Sequence, residues 1–356
     1  MCKKEILVIN PGSTSTKIAW FVNLECVFKK TLKHPVEELE NQQNFQEKYL
    51  FRKNAILSEL AGTDMHLKDL TMIVSRGGML KPIESGVYEV NQRMLHDLEH
   101  TKLKHASNLG GVIAHELATQ LNIKAYIADP VVVDELDDLA RYSGHPNFER
   151  RSVFHALNQK AIARQHAREI GREYEELNLI GVHLGGGISV ALHRNGRVVD
   201  VNQALDGEGA MSPERSGTLP AGELIRMAYS GKYTQQEMME MVVGKGGFVA
   251  YTGTNDGFEL SQKALSGDKD AQRMFEVLAY QVAKEIGALA AVNAGKIDTI
   301  FLTGGMAHNK DITRLIRERV EFIAPVKVFP GEDEMHALAQ NGYMLLEGRA
   351  EAKEYV

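Results

Sequence analysis

Ile6-Leu7-Val8-Ile9-Asn10-Pro11-Gly12-Ser13-Thr14-Ser15-Thr16-Lys17-Ile18-Ala19-Trp20-Phe21 reads as a strand, a small-residue turn and a second strand. Leu179-Ile180-Gly181-Val182-His183-Leu184-Gly185-Gly186-Gly187-Ile188-Ser189-Val190-Ala191-Leu192 reads the same way. One interval, 173 residues, separates Asn10 from His183 and Gly12 from Gly185. Small residues at such a turn let backbone N–H groups approach an anion that any Cβ would hold off. Two hairpins in register imply two related halves that face each other across a polyphosphate. A third strand-like run, Thr299-Ile300-Phe301-Leu302-Thr303, also ends in glycines, Gly304-Gly305.

The remainder of the 356-residue chain bounds this reading. The length suits two domains of ordinary size, and 44% hydrophobic with 25% charged residues is a globular composition. A formal net charge of −6 gives no electrostatic footprint for nucleic acid or an anionic membrane, so phosphate binding has to be local. The two cysteines, Cys2 and Cys26, are too few for a disulfide framework and suit a reducing cytosol. No secretory leader follows Lys3-Lys4, and no apolar run approaches the ~18–20 residues of a membrane span. A cytoplasmic protein is expected.

Strand-like and helix-like runs alternate, which predicts an α/β fold. Met72 to Ser75 is a buried strand that delivers Arg76 and is followed by Gly77-Gly78; Ala125 to Ala128 delivers Asp129 in the same way. Helical spacing covers Asn108–Leu121, about 271–294, and Glu334–Leu346, with Val326–Pro330 as a late strand. Arg141 to Asn147, with Gly and Pro between periodic blocks, is the expected hinge. A helix should follow it, N-capped by Ser152 and stopped by Gly171, with His155 near its first turn. Asn195-Gly196 predicts a tight turn. The histidines at 34, 66, 96, 100 and 308 are expected at the surface.

Neither a GxxxxGK[ST] loop nor a GxGxxG followed by an acidic residue is present. Over almost its whole length the chain instead resembles the acetate and sugar kinase/actin superfamily, and within it the acetate/butyrate kinase family. The resemblance is carried by Val8 to Lys17, His183 to Gly187, Ala204-Leu205-Asp206-Gly207 leading to Arg215-Ser216-Gly217, and Thr303 to Ala307. It implies two ribonuclease-H-like (actin-like ATPase) domains with an interdomain nucleotide cleft. Residues 1–145 with 335–356 would form the acyl-substrate and phosphate domain, and 146–334 the nucleotide-binding domain. It also implies ATP/ADP and Mg2+ as cofactors, and at least a homodimer.

By position, the resemblance gives Arg76, Asp129, His155 and Arg215 catalytic roles. Asn10, Gly12, Ser13, Thr14, Lys17, His183, Gly185, Gly186, Gly187, Gly304 and Gly305 would contact the nucleotide. Gly77, Gly78, His105, Phe154 and Pro213 would line the acyl pocket, and Glu334 with Asn10 would hold the metal. Without it, Arg76 could be a surface ion-pair residue, His155 an ordinary helix N-terminal histidine, and His183 a structural partner of its glycine loop.

These residue types suit one reaction, ATP + short-chain carboxylate ⇌ ADP + acyl phosphate. A carboxylate is ionised at neutral pH and needs no general base. The obstacle is repulsion between an anion and a polyphosphate, which planar guanidinium forks and hydrogen-bond donors offset. Acetate kinases typically carry Val-Val where Gly77-Gly78 stand, so their absence predicts room for a longer acyl chain, each buried methylene contributing about 0.8 kcal/mol. The compact Ser212 to Gly217 segment is the form of the family's butyrate branch, so the resemblance implies butanoate, or a branched short-chain acid such as isobutanoate, as the acceptor. An acetate or propionate kinase is the near alternative, and a non-enzymatic, actin- or chaperone-like nucleotide-binding protein the distant one.

Overall fold

The computed structural model describes residues 3–101 and 105–356. Cys2 lies outside the described residues, and Cys26 is a free, exposed thiol. The chain divides by contacts into two units, Met1–Val133 with Asp333–Val356, and Asp134–Glu332.

The first unit is built on a six-stranded sheet of β1 (Glu5–Pro11), β2 (Ser15–Val22), β3 (Glu25–Lys33), β4 (Met72–Arg76), β5 (Val87–Glu89) and β6 (Lys124–Ala128), in the order β3-β2-β1-β4-β6-β5. β1, β2 and β3 form an antiparallel meander, while β4 and β6 run parallel to β1. Val8, Ile9, Ile73 and Val74 are fully buried, as parallel strands covered on both faces require. Alternation along β4 sorts the covering helices. Met72 and Val74 face Gly342 of the helix Glu334–Leu346, whereas Ser75 faces Gly110 of the helix Asn108–Leu121.

The second unit repeats the plan. Its sheet comprises β7 (Asn178–Leu184), β8 (Ile188–Arg194), β9 (Arg197–Val201), β10 (Thr299–Gly304) and β11 (Val326–Pro330), ordered β11-β10-β7-β8-β9. Again an antiparallel meander comes first, and two parallel strands join the free side of its first strand. Ile180, Val182 and Leu184 enter the core beneath the helix Lys269–Val292. The alternate residue Leu179 packs with Ala163 and Ala167 of the helix Ala156–Glu169. The expected α/β fold with two ribonuclease-H-like halves is present. The hairpins differ by one residue: Gly12–Ser15 lie between the last pair Pro11–Thr16, but only Gly185–Gly187 lie between Leu184 and Ile188.

Three expectations are corrected. The boundary lies at 133/134 and 332/333, so residues 134–145 belong with the second unit and Glu334 with the first. The cause is specific bonding: Glu135 takes Lys160 Nζ (2.8 Å) and the Val198 amide (2.9 Å), and the Asp137 amide donates to Val199 (2.9 Å). Second, the helix after the hinge begins at Ala156 with His155 at its N-cap position, not at Ser152. Val153 is held outside the helix because its carbonyl accepts from the Ala204 amide (2.9 Å). Third, His34 is buried, its Nε2 2.8 Å from Thr16 Oγ1.

Candidate active site

In the first unit the parallel strands end together and present their last side chains. Asn10, buried at the end of β1, donates through Nδ2 to Glu334 Oε2 at 2.7 Å. Arg76, at the end of β4, places Nη1 3.4 Å from the same oxygen. Asn10 sits directly opposite Lys17 in the hairpin, so both side chains project from one face of the sheet. At the end of β6, Asp129 is buried and non-glycine with φ 38°. Its Oδ1 accepts from Ser85 Oγ (2.6 Å) and the Gly86 amide (2.9 Å). A left-handed residue at a strand end is strain of the kind that clusters at functional sites. His105 is exposed ahead of the helix Asn108–Leu121, its Nδ1 2.7 Å from Ser107 Oγ.

The turn Gly12–Ser15, which includes the exposed Ser13 and Thr14, is held from below by a residue that sequence reading missed. Arg52, buried on the helix Phe45–Ala61, donates Nη2 to the Ser13 carbonyl (3.0 Å) and Nη1 to the Ser15 carbonyl (3.0 Å) and Thr16 Oγ1 (2.9 Å). Burial pushes the Arg52 guanidinium somewhat below its usual range. Burial first, and the Arg52 charge second, push His34 down to about 4, so it is neutral at pH 7.

In the second unit the glycine loop is equally crowded. A Cβ at Gly185 would lie 2.9 Å from His183 Nε2, and one at Gly187 would collide with the Arg215 guanidinium. Arg215 Nη1 donates to the Ala204 carbonyl, and its Nε is buried with no partner among the described residues. Burial outweighs the nearby Glu214 and Asp206 and lowers the Arg215 pKa. His155 and His183 stack face to face, with centroids 3.7 Å apart and planes 7° from parallel. His183 Nδ1 is 2.8 Å from Asn158 Oδ1, and its Nε2 is 3.1 Å from Glu332 Oε1. His155 Nδ1 is 2.9 Å from Ser189 Oγ.

Beside this cluster opens a cavity of about 1180 Å³, large enough for a nucleotide. Gly185, Gly186, Gly305, Met306, Phe258 and Glu332 are on its wall. Gly304, with φ 92°, packs its α-carbon against Leu184 beside the loop, where a Cβ would meet the Leu184 backbone. Pro213, expected in the acyl pocket, is on the wall of this cavity. Phe154 is a buried core residue of the same unit.

The enlarged pocket expected from Gly77-Gly78 is not where the sequence put it. A Cβ on Gly77 would stand 2.6 Å from Pro130 Cβ, and one on Gly78 2.6 Å from Asn108 Cα. These glycines admit the neighbouring chain, so they leave no added volume for an acyl group.

Strand-end glycine loops, with an arginine and stacked histidines beside the second, are an arrangement suited to phosphate oxygens. Residues 143–337 match the acetokinase family. Over 354 residues the chain is 52% identical to butyrate kinase 2 of Clostridium acetobutylicum, covering 99% of each chain. It is also 52% identical over 351 residues to butyrate kinase 1 of that organism, covering 98% of this chain and 99% of the relative. The chain belongs to the acetokinase family. Among solved structures, Porphyromonas gingivalis acetate kinase superposes with a TM-score of 0.79 at 19% identity, covering 96% of this chain and 100% of that one. Entamoeba histolytica acetate kinase gives 0.76 at 17%, covering 97% and 100%. At such identities the likeness concerns the fold alone.

Proposed function

We propose that this chain is a short-chain fatty acid kinase that transfers the γ-phosphoryl group of ATP directly to butanoate, giving butanoyl phosphate and ADP. The observation that carries the reading is 52% identity to two butyrate kinases over essentially the whole chain. That identity, not extra space at Gly77-Gly78, now supports the four-carbon preference over acetate.

The site residues have roles that follow from charge. Arg76 and Arg215 offer guanidinium forks to the carboxylate and to the transferring phosphoryl oxygens. The donors of the Gly12–Ser15 and Gly185–Gly187 turns hold phosphate oxygens, and His155 donates a hydrogen bond to the group in flight. Asp129 orders the Ser85–Gly86 segment through its carboxylate and abstracts no proton, since the attacking carboxylate is already ionised. The first unit takes the acyl group, with His105 beside it, and the second takes the nucleotide, its purine in the cavity by Gly305.

Mg2+ fits the first unit's donor set. Among the described residues no cluster of three or more His, Cys, Asp or Glu could cage a metal. Glu334 and the Asn10 side-chain oxygen would hold the ion alongside phosphate oxygens and water, the usual manner for Mg2+. When bound it neutralises phosphate charge. Self-association is supported by the helix Ala221–Ala228, which buries none of its residues and leaves Ile225 and Met227 exposed next to Tyr229. No helix of the described residues is long and apolar enough to cross a membrane, consistent with a cytoplasmic location.

The test is 31P NMR of the purified protein with ATP, Mg2+ and butanoate. An acyl phosphate resonance should grow with ADP. Release of inorganic phosphate alone, with or without butanoate, would contradict direct transfer.

A further inference from the structure

The catalytic role given to His155 needs a defined ring nitrogen to carry its proton, and the second unit contains a chain of buried groups that can define it. Gln159, on the first turns of the helix Ala156–Glu169, is fully buried. Its Nε2 is 3.1 Å from the Ser189 backbone carbonyl and 2.8 Å from Ser189 Oγ. A backbone carbonyl only accepts, so this amide cannot be flipped without setting two oxygens against each other.

With the amide fixed, both directions along the chain follow. Gln159 Oε1 must accept, and the group 3.0 Å away is His193 Nε2, which therefore carries its proton. His193 is fully enclosed, and burial holds its pKa well below the usual histidine range, so the ring is neutral. Its Nδ1 is then an acceptor, and Tyr174 Oη donates to it at 2.7 Å. On the other side, Ser189 Oγ already accepts from Gln159, and among the described residues its other hydrogen-bond neighbour is His155 Nδ1 at 2.9 Å. If that nitrogen carried a proton, Ser189 would receive two donors and its own buried hydroxyl hydrogen would lack an acceptor among the described residues, which is costly for a buried donor. Ser189 therefore donates to His155 Nδ1.

We propose that Gln159, through Ser189, is a positioning residue that holds neutral His155 in the tautomer with hydrogen on Nε2, as a standing donor for the transferring phosphoryl group. The chain Tyr174–His193–Gln159–Ser189 is its support, and the stacked His183 ring keeps the imidazole from turning about its χ2 axis. This rests on the kinase reading above, in which His155 is the donor.

The experiment is 15N NMR of the full-length protein labelled in its histidine rings, with His155 assigned by loss of its signals in His155→Gln. Wild type should show one pyridine-type nitrogen at Nδ1 and one N–H at Nε2. Ser189→Ala and Gln159→Leu should each give a tautomer mixture, with kcat at least about 10-fold lower and KM for ATP and butanoate unchanged. A proton on Nδ1 in wild type would overturn the inference, as would variants that mix the tautomers yet keep wild-type kcat. If wild type turns over no carboxylate, the kinase reading fails, and the tautomer measurement still decides the hydrogen-bond chain. If either variant does not fold, the wild-type spectrum decides alone.

Discussion

In the proposed mechanism Arg215 is the residue on which the chemistry leans hardest in the second unit. Its guanidinium is wedged under Gly187 and tied to the Ala204 carbonyl, so its fork is preset. Arg215→Lys keeps the charge but loses the planar pair of donors, and kcat with butanoate should fall about 100-fold in steady-state assays; a change under tenfold would remove it from that role. Gly78 carries the opposite expectation. Because its missing Cβ would strike Asn108, Gly78→Ala should destabilise the fold by about 1–3 kcal/mol while leaving the butanoate-to-acetate ratio of kcat/KM unchanged. Thermal melts and paired assays check both halves. His34 sets a pH dependence. Its imidazole titrates near 6.5 when unfolded and about 4 when folded, so the unfolded chain binds the extra proton between those values. Stability should thus be full above pH 6.5 and fall as pH drops toward 4. The urea midpoint of His34→Gln should change less between pH 7 and pH 5 than that of wild type, and equal changes would show that His34 does not titrate this way. None of this could be read at 34 or 78 from sequence, because the side on which a chain neighbour stands is a tertiary fact.

At the scale of elements, the sequence was most legible where period and punctuation agree. The helices Asn108–Leu121 and Glu334–Leu346 and the strand Val326–Pro330 have their expected bounds. The Asn195-Gly196 turn has both residues at positive φ, as its dipeptide demands. The start of the helix Ala156–Glu169 was missed because Ser152 is a good N-cap by type, yet pairing of Val153 with Ala204 keeps that segment out of the helix. Arg52 was missed for a related reason: it acts on carbonyls 37 and 39 residues earlier, and its own helix has no motif. Replacing Arg52 with Met removes the donor from the part-buried Ser13 and Ser15 carbonyls and from the buried Thr16 hydroxyl. It should lower stability by about 1–3 kcal/mol and reduce kcat/KM for ATP or for the acid, because the Gly12–Ser15 turn loses its support. Unchanged kinetics in a destabilised variant would make Arg52 a folding residue only.

At the scale of the whole molecule, the repeated hairpin announced the architecture. Two sheets share the order of meander and parallel strands, and the glycine turns occupy equivalent strand ends. Legibility stopped at the acyl group, since a pocket is the sum of many chain directions and Gly77-Gly78 point into protein. The bare helix Ala221–Ala228 predicts self-association: light scattering should give at least twice 39.5 kDa, and Ile225→Glu should shift the mass toward the monomer. A wild-type monomer at micromolar concentration would leave that face unexplained. The central claim is tested most directly by trapping acyl phosphate with hydroxylamine in the presence of ATP and Mg2+, with acetate, propionate, butanoate, isobutanoate and valerate assayed side by side. The account predicts ATP-dependent hydroxamate with the highest kcat/KM for a four-carbon acid; no hydroxamate from any of the acids would contradict it.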